Sequence, residues 1–145
     1  MKYIYLFLLL TLMSCSGTPP ELGVKDGKLN LCPDKPNCVV SYKDSEDHFI
    51  DPIKYMEDKQ TAYQKLSTII EKEENSKIIT KNEDYIRAEF TSALFGFVDD
   101  VEFLFPDDEE KTIHVRSSSR IGHSDLGVNR KRIEMIRFKY TQNDY

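Results

Sequence analysis

The stretch that most constrains the fold is VDDVEFLFPDDEEKTIHVRSSSR, residues 98 to 120. Its two flanks alternate apolar and polar side chains, the pattern of half-buried strands. The PDDEEK between them, a proline and four acidic residues before a lysine, reads as a turn. The prediction is an antiparallel hairpin. With the turn centred near Asp108 and Glu109, Phe105 faces Ile113 and Phe103 faces Val115 on one side. Glu102 then faces Arg116, and Asp100 faces Ser118, on the other. A slide of two residues brings Asp100 opposite Arg116 or Arg120 instead. In each register an acidic strand meets a basic one, at about 0.2–1 kcal/mol per cross-strand contact.

The flanking sequence supplies matching elements. DKQTAYQKLSTIIEKEEN, 58 to 75, places Ala62, Leu66, Ile69 and Ile70 at helical period, with Thr61 and Gln64 as a capping box and Asn75 as a stop. KIITK (77–81) and YIRAEFTS (85–92) read as strands about the turn residues 82–84. Leu126 to Tyr140 reads as a second helix capped by Ser124 or Asp125. Leu126, Ile133, Ile136 and Tyr140 form its apolar stripe, with Asn129 inside the stripe and Arg130 and Arg132 on its flanks. The predicted class is α+β: a four-stranded antiparallel meander sheet with two helices on one face, preceded by an extended cysteine-containing loop.

The chain opens MKYIYLFLLLTLMSC, one lysine before an apolar run too short to span a bilayer. Its end, LMSC, is similar to a bacterial lipobox. The expectation is a signal peptide over 1–14, lipidation of Cys15, and an anchor in the cell envelope, with Ser16 favouring the outer membrane. Residues 15–30, rich in Gly and Pro, read as a tether, 31–140 as a single domain and 141–145 as a tail. Two cysteines remain, Cys32 and Cys38, and in an oxidising compartment they are expected to form a disulfide across CPDKPNC. A zinc site joining them to His48, His114 or His123 lacks the spacing of zinc modules, so neither metal nor cofactor is expected.

Between Thr112 and Lys139 seven basic residues stand against two acidic ones, a local +5 in a chain of net charge −5. Three readings compete. In the structural one, Arg116 pairs with Glu102, Arg130 pairs with Glu134, and Asp125 caps a helix. In the binding one, Arg116, Ser118, Arg120, Asn129 and Arg130 contact an anionic small molecule or lipid headgroup near a helix N-terminus. In the catalytic one, a serine of 117–119 works with His114 or His123 and Asp99, Asp100 or Asp125. No G-x-S-x-G elbow supports this last reading. Nucleic acid is not an expected partner, because the chain is acidic and lacks basic residues interleaved with stacking aromatics. The sequence names no protein partner.

PNCVVS (36–41), FGFVDDVEF (95–103) and RSSSRIGHSDLGVNRKRIE (116–134) resemble the three blocks of a family called domain of unknown function 1499, found in bacterial envelope and some plastid proteins. The likeness runs from about Leu31 to Phe138. It implies no activity and carries over no catalytic residue. Val40 stands where the family often has a second serine. His123 falls at a variable position, which weakens it as a general base. The reading that results is a lipid-anchored envelope protein, a non-catalytic structural or binding module, with a serine and histidine hydrolase as the alternative.

Overall fold

The computed structural model describes residues 17–43 and 46–142. The leader, Cys15 and the last residues of the tail lie outside the described residues. Chain order is β1 (Val24–Lys25), β2 (Lys28–Leu29), β3 (Cys38–Val40), β4 (Ile53–Lys54), α1 (Lys59–Glu71), β5 (Ser76–Lys81), β6 (Tyr85–Thr91), β7 (Val98–Leu104), β8 (Thr112–Ser119) and α2 (Val128–Thr141).

Strands β5 to β8 form the expected antiparallel meander. The acidic turn sets the β7–β8 register as expected, with Phe103 opposite Val115, Glu102 opposite Arg116 and Asp100 opposite Ser118. The sheet is nevertheless larger than the four strands expected. β3 and β4 both pair antiparallel with β8, through Val40 opposite Arg116 and Ile53 opposite Ile113, which makes six strands. A long β8 left as an edge would present a row of unpaired amides and carbonyls. Two short segments cover it, and at two or three residues neither is long enough to show alternation.

Parity divides the sheet into two faces. Ile86, Ala88 and Phe90 of β6, Val101 and Phe103 of β7, and Ile113 and Val115 of β8 pack with Leu66, Ile69 and Ile70 of α1 and Ile133, Ile136 and Tyr140 of α2 in one core. Both helices therefore cover the same face. Asp58, not Thr61, caps α1: its carboxylate accepts from the Thr61 N–H at 2.9 Å, and the helix ends at Glu71, before Asn75. An aspartate at this position both satisfies an orphan amide and places negative charge at the positive helix end.

α2 starts at Val128, two residues later than expected. Asp125 accepts from the Gly127 N–H at 2.9 Å and the Asn129 N–H at 2.8 Å, while Leu126 and Gly127 take positive φ of 54° and 79°. That turn throws Leu126 out of the stripe, and it is 87% exposed.

The opposite face is covered by the chain that precedes β3. Of the stretch read as a tether, residues 24–29 form the β1–β2 hairpin. Leu29 packs with Val40, Tyr42, Tyr85 and Leu104 in a second cluster, with Cys32 beside it. The expected disulfide is present: Cys32 and Cys38 are bridged, with Cα atoms 5.7 Å apart, and the bridge fastens this strap to the start of β3. Among the described residues no helix is long and apolar enough to cross a membrane.

Candidate functional site

Alternation along β7 and β8 sends Asp100, Glu102, Arg116 and Ser118 to the strap side of the sheet. Glu102 is fully buried there. Its Oε2 accepts from Arg116 Nη1 at 2.7 Å; its Oε1 accepts from the Tyr85 hydroxyl at 2.8 Å and from the Gly23 N–H of the strap at 2.7 Å. Burial first, and the Glu102 charge second, push the Tyr85 phenol far up, so that it stays protonated as a donor. Next to it, Asp100 lies between two guanidinium groups. Arg87 reaches Oδ1 at 2.8 Å, and Arg120 takes Oδ2 at 2.7 Å and Oδ1 at 2.9 Å. Arg120 also bonds Glu89, as does Arg87. Hydrogen bonding to Asp100 is the main cause that raises the Arg120 guanidinium. Three arginines thus face three carboxylates, as buried charge requires.

The helix side carries a second polar network. The fully buried Asn129 accepts at Oδ1 from the Ser117 hydroxyl and from Arg132 Nη1 at 2.7 Å. Its Nδ2 lies 3.0 Å from the Asn37 carbonyl, 2.9 Å from Ser119 Oγ and 2.8 Å from Asp125 Oδ2. Arg132 continues to Asp99 at 2.6 Å and lies over the Phe90 ring.

The five residues nominated from sequence are therefore not gathered around one cavity. Arg116, Ser118 and Arg120 lie under the strap, and Asn129 lies under the helices. Arg130 is exposed, without an ion pair among the described residues. Its expected partner Glu134 bonds Arg137 instead. The guanidinium that points inward from α2 is that of Arg132, which sequence reasoning did not choose. Ser118 Oγ is buried without a hydrogen-bond partner, as is Arg116 Nε. Of the anticipated nucleophiles, Ser117 and Ser119 are tied to Asn129; of the two histidines considered as base, His123 is exposed in the loop before α2.

The serine and histidine that do meet are Ser41, at the end of PNCVVS, and His114 of β8. Ser41 Oγ lies 3.1 Å from His114 Nδ1 and accepts from the Val115 N–H at 2.9 Å. Both side chains line an open cleft of about 600 Å³ together with Lys43, Phe49, Asp51, Lys54, Glu110 and Thr112. Burial is the main cause that lowers the His114 imidazole below its ordinary value near 6.5, which favours its neutral form. Thr112 is 4% exposed, and its Oγ1 has no partner. The Lys43 and Lys54 side chains are exposed at the rim and make no ion pair among the described residues. This cleft combines donors of both kinds with room for a small molecule. The only sequence signal for it was the serine that closes PNCVVS.

Among the described residues, no group of three or more His, Cys, Asp or Glu side chains is arranged to hold a metal ion. A family profile described as "Protein of unknown function (DUF1499)" matches residues 28–139, and the chain belongs to that family. Comparison with curated proteins returned no match, and comparison with solved structures returned none.

Proposed function

We propose that this member of the 1499 family is an envelope lipoprotein, anchored through Cys15 in the outer membrane, whose folded domain is a non-catalytic binding module. Its ligand is a small anionic group, a carboxylate or phosphate, held in the Ser41–His114 cleft. One observation carries the reading: an open cleft lined by Ser41, Thr112 and His114 is rimmed by Lys43 and Lys54, which are exposed and make no ion pair among the described residues. Two unpaired ammonium groups beside a neutral imidazole and a hydroxyl supply donors that a carboxylate or phosphate accepts from. Of the arginines nominated from sequence, Arg116 and Arg120 end in carboxylates, and Arg130 is exposed outside this cleft.

The test is thermal unfolding of the full chain with inorganic phosphate and with citrate. Ligand at 100 times its Kd stabilises by about 2.7 kcal/mol. The parent is expected to gain melting temperature with at least one of the two, Lys43→Ala and Lys54→Ala to lose that gain, and Arg130→Ala to keep it. Equal stabilisation of parent and Lys54→Ala would remove the cleft as the site. The Ser41–His114 contact favours a second reading, a hydrolase. Against it, Ser41 is buried with its Oγ held by a backbone amide, and among the described residues no carboxylate bonds His114. Ester turnover abolished by Ser41→Ala would establish the second reading over the first.

A further inference from the structure

Six of the twelve large apolar side chains exposed among the described residues gather at one end of the sheet: Leu94, Phe95, Phe97, Ile121, Leu126 and Val128. They come from two loops. The first, between β6 and β7, exposes Leu94 by 81% and Phe95 by 67%, with the Phe95 and Phe97 rings stacked at 5.5 Å. The second runs from β8 into α2. The loops meet where Arg120 N–H donates to the Val98 carbonyl, and Phe97, Ile121 and Val128 line one depression. A cluster of this kind at one pole of a small domain marks a binding surface.

The path of the N-terminal chain identifies what covers it. Gly17 packs against this same pole: a Cβ built on it would lie 2.6 Å from Ile121 Cγ1 and 2.9 Å from Arg120 Cβ. Only Ser16 lies between Gly17 and Cys15, and a step of two positions reaches at most about 7 Å. A lipid on Cys15 therefore enters the bilayer beside Ile121. Arg130 and Lys131, exposed in the first turn of α2 next to Val128, make no ion pair among the described residues and suit anionic headgroups.

We infer that this pole is a second membrane contact, in which Leu94, Phe95, Phe97 and Leu126 insert into the interfacial layer of the bilayer that holds the Cys15 lipid. The inference rests on the lipoprotein reading and adds to it a fixed orientation of the domain. Apolar side chains on a pole bordered by basic groups are what interfacial burial requires.

The chain contains no tryptophan, so a single introduced indole reports its own surroundings. Full-length Phe95→Trp is purified with its lipid and reconstituted into vesicles of phosphatidylethanolamine and phosphatidylglycerol, with Met56→Trp, exposed at the opposite end beside Lys111, as the control. Mass spectrometry of the N-terminal peptide establishes the lipid on Cys15. The expected result is blue-shifted emission at position 95, quenched by brominated lipid and at least fivefold less accessible to acrylamide than position 56. Equal acrylamide access at both positions in lipidated protein would overturn the docking and leave the anchor standing. An unlipidated Cys15 would overturn the anchor and the docking together. A blue shift that ignores brominated lipid and grows with protein concentration would assign the pole to a second copy of the chain and overturn the membrane contact.

Discussion

Glu102 joins three segments distant in sequence: Arg116 of β8, Tyr85 of β6 and the Gly23 amide of the strap all donate to it. A carboxylate with no exposed surface is tolerable only while those donors remain. Arg116→Met is therefore expected to destabilise the domain by about 3–5 kcal/mol, because it strands a buried charge. Adding Glu102→Gln to that variant should recover a substantial part of the loss, since the stranded charge is gone. Urea unfolding of both singles and the double measures this coupling, and strictly additive losses would show the pair to be independent. The sequence made this pair legible because turn position and strand parity alone place residue 102 opposite 116. It did not distinguish Arg130 from Arg132. At about 100° per residue the two lie on either side of Asn129. What decides between them is Asp99, brought within 2.6 Å of Arg132 by sheet pairing that no local pattern encodes.

Among the elements, those with enough residues to display a period were readable. The four meander strands and both helices emerged from alternation or helical spacing. β3 and β4, at three and two residues, did not. The strap was missed for a related reason: its Gly and Pro content is that of a linker, and it is held by Leu29, by its backbone bonds to Tyr42 and Glu102 and by the Cys32–Cys38 bridge. The bridge closes a short loop, and loop-closure entropy gives it about 2 kcal/mol. Replacing both cysteines with serine should lower stability by about that amount. The loss should be uneven: in hydrogen exchange the Gly23 and Leu29 amides should lose protection while those of β6 and β7 keep theirs. Unchanged protection at Gly23 and Leu29 would show that the strap holds without its fastening.

At the scale of the whole molecule, the sheet separates two ends as well as two faces. Loops 92–97 and 120–127 and the contact of Gly17 with Ile121 lie at the end where β7 begins and β8 finishes. The Ser41–His114 cleft lies toward the other end, where β8 begins at Thr112 and the 105–111 turn closes the hairpin. The sheet is rigid between them, because buried ion pairs on one face and a packed core on the other leave little freedom for the ends to shift. The proposed anchor at one end would therefore present the cleft away from the bilayer. The consequence is measurable as an affinity. Phosphate or citrate, whichever stabilises the parent, should bind the vesicle-anchored protein and soluble Cys15→Ser with Kd values within about a factor of two, a difference under about 0.5 kcal/mol. Were the cleft to open against the membrane, headgroups would compete with or exclude the anion, and the anchored form would bind it at least about tenfold more weakly, a change of about 1.4 kcal/mol. Titration of both forms at equal ionic strength separates the two arrangements, because surface charge on the vesicles is screened beyond about 10 Å at 0.1 M salt.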